Sequence, residues 1–200
     1  MFTPDLGVLL LCWILYCALH SALAAASWKR WIEQHTRKGY RYYRIFYSLF
    51  ATVSLAGLLW YHFSFPTATE LLSGNFFEYA GLLLTVTGSI LMMTCIRKYF
   101  FNLSGIDVFF NRKISPAPKL EIGGLHRYTR HPLYFGTLMF SWGFFFIWPY
   151  PHHLVANVVM TLYVLMAIGW EEKKLVQEYG SAYTEYAAKV PRLIPWKLKM

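Results

Sequence analysis

Five stretches of this chain stay apolar for about the 20 residues that a bilayer-spanning helix needs. They are Leu6–Ser27, Ile45–Phe65, Phe76–Ile96, Pro132–Tyr150 and His153–Trp170. The pattern predicts an all-α integral membrane protein of about five transmembrane helices, with a cytoplasmic interfacial loop and a C-terminal helix. Pro132 is well placed as the first residue of a helix, with His131 as its N-cap. The connection at Tyr150–His152 is short, so the fourth and fifth spans should be antiparallel neighbours with His131 and Glu171 close at one end. Composition agrees, at 56% apolar and only 14% charged residues, far from a soluble mix. A length of 200 residues fits one membrane domain, a three-helix part over 1–96 followed by a core over 97–200.

Charge adds an orientation. All 19 Lys and Arg residues fall between Lys29 and Arg44, between Arg97 and Arg130, or between Lys173 and Lys199. The other side carries only Asp5, Glu70 and Glu78. By the positive-inside rule the N-terminus is outside and the C-terminus cytoplasmic, and a bacterial inner membrane is the expected location. The net charge of +9 then reflects topology and a bilayer partner with anionic lipid, rather than a nucleic-acid partner. Cys12, Cys17 and Cys95 all lie in spans and fit no zinc or redox spacing, so they read as small apolar residues. A basic cluster follows the first span and none precedes it, which reads as an uncleaved anchor.

Polar residues inside or beside the spans are the candidates for function. Trp13, Tyr16 and His20 share a helical face of the first span, and an ionisable residue in a membrane helix is a functional candidate. The linker RKGYRYYR (37–44) looks like an interfacial anchor, and Trp60, Tyr61 and His62 like an aromatic belt. Gly81, Thr85 and Ser89 form a small-residue stripe suited to close helix packing. The longest polar segment runs from Arg97 to His131, where FFNLSGIDVFF (100–110) is apolar enough to lie in the interface. It ends in GGLHRYTRHPLYFG (123–136), which gathers Arg127, Arg130, two histidines and two tyrosines at a span's start. After the fifth span, GWEEKKLVQEYG should stay helical up to Gly180, with Ser181 able to cap a short further helix.

Three segments together carry a resemblance: RHPLYFG (130–136), EEKKLVQEYGSAYTEY (171–186) and VPRLIP (190–195). In this order the chain resembles the isoprenylcysteine carboxyl methyltransferase superfamily of membrane methyltransferases from Phe101 to Pro195. FNLSGIDVF, GLHRYTRHPLY and IGWEEKKL are most similar to its methanethiol S-methyltransferase branch, with Asp107 and Val108 departing from that branch's more basic or amide residues. The resemblance implies a helical membrane enzyme that uses S-adenosylmethionine, with a small or lipophilic methyl acceptor such as a thiol, an isoprenylcysteine carboxylate or a lipid amine.

The chemistry of that cofactor matches the residues present. Its carboxylate suits a planar guanidinium, nominating Arg130. Its ammonium and ribose suit carboxylates, nominating Glu171 and Glu172. Its adenine and sulfonium suit aromatic faces, nominating Tyr134, Tyr183 and Tyr186, with backbone groups at Gly124, Leu125 and His126 completing the site. Methyl transfer asks the protein to align, desolvate and, for a thiol, deprotonate. No metal is needed for it. Arg130, His131 and Glu172 are therefore the expected catalytic residues, with His131 or a glutamate assisting the proton. His20, Asn102 and Asp107 are expected on the acceptor side. Each piece alone has a plainer reading, such as an interfacial Arg-His anchor or local Glu–Lys pairs on a solvated turn. Two other functions stay open: an NADPH-dependent membrane reductase, although no dinucleotide glycine fingerprint is present, and a non-catalytic protein that keeps the fold.

Overall fold

The computed structural model describes residues 4–36, 40–66, 69–104 and 120–196. Asp107 and the side chain of Asn102 lie outside the described residues. The described chain is helical, without a β-strand: α1 (Leu6–Ala24), α2 (Ala26–His35), α3 (Tyr40–His62), α4 (Asn75–Ser104), a 3-10 turn (Gly124–Arg127), α5 (Pro132–Ile147), α6 (Pro151–Tyr179) and α7 (Ser181–Lys189). Four helices are long and apolar enough to cross a membrane, namely α1, α3, α4 and α6. The fifth expected span, α5, is apolar but has 16 residues, or about 24 Å at 1.5 Å per residue.

Several boundaries differ from the apolar pattern, each for a local reason. The first span ends at Ala24 because Ala25 is extended at φ −62°, ψ 139°. The basic stretch after it forms a helix of its own, α2, on which Trp28 stacks on Trp31 and Trp31 on His35. α4 continues past Ile96 to Ser104, since neither Gly nor Pro occurs from Arg97 to Ser104. The fourth span stops at Ile147, three residues before the expected Tyr150, because Pro149 cannot donate to the helix and Pro151 starts the next one. Gly180, at φ +56°, ends α6 and itself takes the N-cap position of α7, which leaves Ser181 as the first helical residue and not the cap.

The contacts divide the chain into two compact units. The first comprises Met1–Leu71, Tyr99–Lys113 and Pro149–Met160. Within it α1 buries Leu9, Trp13 and Cys17 along one face, while Ile14, Leu15 and Leu19 stay exposed, as do Phe46, Leu49 and Val53 of α3. Such outward apolar faces suit lipid. Polar side chains are paired inside: the Tyr43 hydroxyl donates to the Leu23 carbonyl at 2.7 Å, and the Tyr47 hydroxyl lies 3.0 Å from His20 Nε2.

The second unit comprises Leu72–Lys98, Ile114–Trp148 and Thr161–Met200. Its α4 and α5 touch backbone to backbone through glycines. A Cβ at Gly143 would lie 2.5 Å from the Thr85 nitrogen, and one at Gly88 would lie 2.5 Å from the Phe140 nitrogen. The small-residue stripe thus runs through Gly81, Thr85 and Gly88 against Gly136 and Gly143, the close approach that small residues permit in lipid. Ser89 instead turns its hydroxyl back to the Thr85 carbonyl. α6 has 29 residues, about 43 Å of helix, which exceeds the ~30 Å hydrocarbon core. Its charged final turns therefore extend beyond the apolar layer, and they carry Glu171 and Glu172.

Candidate active site

The site is built on one carboxylate. Glu172, on the last turns of α6, is reached by four side chains from three segments: the residues ahead of α5, helix α7 and the tail. Arg130 Nη2 lies 3.0 Å from its Oε1 and Arg192 Nε 3.0 Å from its Oε2. His131 Nε2 and the Tyr183 hydroxyl each lie 3.3 Å from Oε1. Arg130 and Glu172 are mostly covered, with side chains 14% and 18% exposed.

Backbone geometry explains the convergence. The RHP sequence keeps His131 out of the helix, at φ −125° and ψ 64°, and so sets Arg130 and His131 just ahead of α5, because the residue before proline avoids helical angles. That segment is tied to the tail: the Arg130 N–H donates to the Pro191 carbonyl at 3.0 Å, and the Thr129 hydroxyl donates to the Arg192 carbonyl at 3.3 Å. Gly180 then folds α7 back so that Tyr183 is buried. The Tyr186 hydroxyl donates to the His126 carbonyl at 2.7 Å, and His126 Nδ1–H donates in turn to the Arg130 carbonyl at 3.2 Å.

Burial sets the protonation states. His131 is 5% exposed, and burial lowers its pKa below the usual 6.5 even though Glu171 and Glu172 pull it upward. It is therefore neutral at pH 7, and its contact with Glu172 is a hydrogen bond rather than an ion pair. Glu171 stands 3.7 Å from His131 Nδ1 and is half exposed. Burial beside Glu172 pushes the Tyr183 phenol up to about 12, which keeps it a donor. His126 is likewise lowered by burial. Nearby, Glu121 pairs with Lys98 at 3.1 Å and accepts the Gly123 N–H.

Of the residues expected from sequence, Arg130, His131, Glu171, Glu172 and Tyr183 come together, and His126 and Tyr186 form a supporting layer. Tyr134 sits beside the His131 ring, 5.7 Å between centroids. Gly124 has φ +60° with open space where a Cβ would be, at the head of the 3-10 turn that contains Leu125. His20 belongs to the other unit, where with Tyr16 and Tyr47 it lines a mostly apolar cleft of about 310 Å³ that also reaches Cys12 and Ser54. Arg192 and Thr129 were not expected. The flanking prolines of VPRLIP were the available signal for Arg192, since they hold the tail extended. An open pocket of about 550 Å³ adjoins the carboxylate, lined by Gly169, Glu172, Lys173, Val176, Gln177 and Arg192.

Apolar helices thus end in a polar cluster that the RHP segment opens and the folded-back helix α7 closes. A family profile described as phospholipid methyltransferase matches residues 77–182, and the chain belongs to that family. It is 29% identical to methanethiol S-methyltransferase 1 of Bradyrhizobium diazoefficiens, over 94% of this chain and 66% of that protein. It is 30% identical to methanethiol S-methyltransferase of Crocosphaera subtropica, over 91% of this chain and 71% of that protein. The protein of that name from Mycobacterium tuberculosis is 26% identical, over 90% and 74%. The chain thus spans about two thirds to three quarters of these relatives' lengths. No solved structure matches it significantly.

Proposed function

We propose that this chain transfers a methyl group from S-adenosylmethionine to a small thiol, with methanethiol the first acceptor to test. The observation that carries the reading is the convergence of Arg130, Arg192, His131 and Tyr183 on Glu172. The donor set fits the cofactor. Two guanidiniums suit a carboxylate, Glu171 and Glu172 suit an ammonium or ribose hydroxyls, and Tyr134, Tyr183 and Tyr186 offer aromatic faces. The Arg130 Nε–H is buried with no partner among the described residues, so a donor is available for an anionic ligand group. When bound, S-adenosylmethionine supplies an activated methyl group.

The residues contribute position, dryness and proton control. Arg130 and Glu172 hold each other in place through low-exposure charges, so little reorganisation is needed when ligand groups replace these contacts. Neutral His131 has one N–H to donate and one lone pair to take a proton from a thiol. The charge distribution favours N-outside, C-cytoplasmic topology in a bacterial inner membrane, with the Glu172 cluster facing the cytoplasm.

The test is detergent-purified protein given methanethiol and methyl-deuterated S-adenosylmethionine, with headspace gas chromatography. Labelled dimethyl sulfide that disappears in Glu172→Gln supports the proposal. Label found only in lipid amine headgroups, or nowhere, contradicts it.

A further inference from the structure

Three histidines of the first unit play no part in the proposed methyl transfer. His62 is the last residue of α3, and His152 and His153 are the second and third residues of α6. All three are buried, at 4%, 4% and 6% exposure. Their rings crowd together, with centroid separations of 5.2 Å (His62–His152), 4.9 Å (His62–His153) and 4.1 Å (His152–His153). One ring nitrogen from each lies within 4.8 Å of the other two.

Helix ends and prolines create this arrangement. Pro151 begins α6, so His152 and His153 fall in its first turn, and the chain leaves α3 immediately after His62. Aromatic rings then enclose the cluster. Trp13 meets the His62 ring edge-on at 6.0 Å, while Phe65 and Tyr150 stack on His152 at 5.4 and 5.7 Å.

Buried polar nitrogens require partners. His62 Nε2 and His153 Nδ1 share one hydrogen bond of 2.7 Å, but His62 Nδ1 is buried with no partner among the described residues. Charging neighbouring imidazoles would place like charges within about 5 Å of one another, which is unfavourable. A single cation coordinated by the lone pairs satisfies several rings at once. The donor set of neutral imidazoles, without carboxylate or thiolate, suits zinc or copper rather than magnesium or calcium. Zinc–nitrogen bonds of about 2.0–2.1 Å set tetrahedral ligand atoms about 3.3–3.4 Å apart, so the nitrogens need approach one another by at most about 1.5 Å from the 4.8 Å limit. His62 can offer its unpartnered Nδ1, or Nε2 by giving up its bond to His153.

We propose that His62, His152 and His153 bind one transition-metal ion, which clips the last turn of α3 to the first turn of α6. The proposal stands independently of methyl transfer. It is tested on full-length protein in detergent, purified without a polyhistidine tag, stripped with chelator and titrated with zinc sulfate by calorimetry. The expected result is one zinc per chain, with affinity falling more than about tenfold in each of His62→Gln, His152→Gln and His153→Gln and unchanged in His126→Gln. Should a variant misfold, copper(II) added to the unaltered protein gives the second readout, an electron paramagnetic resonance spectrum with hyperfine coupling to three imidazole nitrogens. Substoichiometric zinc binding, affinity unaffected by the three substitutions, or a copper spectrum with fewer than three nitrogens overturns the proposal.

Discussion

Glu172 and Arg130 stand 3.0 Å apart, Oε1 to Nη2, although they lie 42 positions apart in sequence, on the last turns of α6 and on the segment before α5. The α5–α6 hairpin makes that meeting possible, and the tail from Pro191 to Arg192 closes over it. Because Glu172 balances two guanidiniums and accepts two further hydrogen bonds, its removal leaves more than one group uncompensated.

Glu172→Gln should therefore abolish measurable methyl transfer and lower thermal stability, since breaking a mostly buried charge pair costs about 3–5 kcal/mol at full burial and somewhat less here. Glu171→Gln, at a half-exposed position 3.7 Å from His131, should retain activity with a raised KM for the methyl donor. Steady-state kinetics and melting curves of both variants check the contrast. Equal effects would mean that the two carboxylates are not distinguished as their geometry implies.

Activity should fall on the acid side through an apparent pKa below 6.5. Burial lowers His131 in the folded chain, so it is neutral above that value. As pH drops through the folded pKa it gains a proton and can no longer accept one. The stability associated with its neutral form is complete above the unfolded value near 6.5 and is lost as pH falls through the lowered one. His126 is shifted in the same direction, so His126→Gln is the control that should keep the acid limb of kcat/KM, whereas His131→Gln should remove it along with most of the rate.

Gly143→Ala should loosen the α4–α5 contact. The added methyl would stand 2.5 Å from the Thr85 backbone nitrogen, which cannot move aside as a flexible side chain would. A loss of about 1–3 kcal/mol is expected for such overpacking, read as a lowered melting temperature in detergent. Gly57→Ala is the control, because nothing lies within 4 Å of a Cβ there.

Arg192→Ala should weaken binding of the methyl donor about tenfold, with little change in kcat. Arg192→Lys should restore only part of the loss, because an ammonium lacks the Nε–H and planar fork that meet Glu172. Full restoration by lysine would reduce the role of Arg192 to charge alone.

Much of this arrangement was legible from residues that punctuate the chain. Pro132 and Gly180 bracket the site, and a tight hairpin forces His131 towards Glu171, so their approach followed from topology. Arg192 was not legible as a partner, because a surface-like basic residue reveals its role only once Pro191 is bonded to the Arg130 backbone. α2 (Ala26–His35) was hidden for another reason: ten residues of mixed tryptophan and charge are too short and too polar to show as a span. His62 and the His152–His153 pair lie 90 positions apart in sequence, and no local spacing announces their meeting.

The central claim is that the Arg130–Glu172 cluster holds S-adenosylmethionine, and calorimetry of S-adenosylhomocysteine binding to detergent-purified protein tests it most directly. Saturable, one-to-one binding that vanishes in both Glu172→Gln and Arg130→Ala is expected, with none for NADPH. Binding of NADPH alone, binding of neither compound, or product binding that survives both substitutions would contradict it.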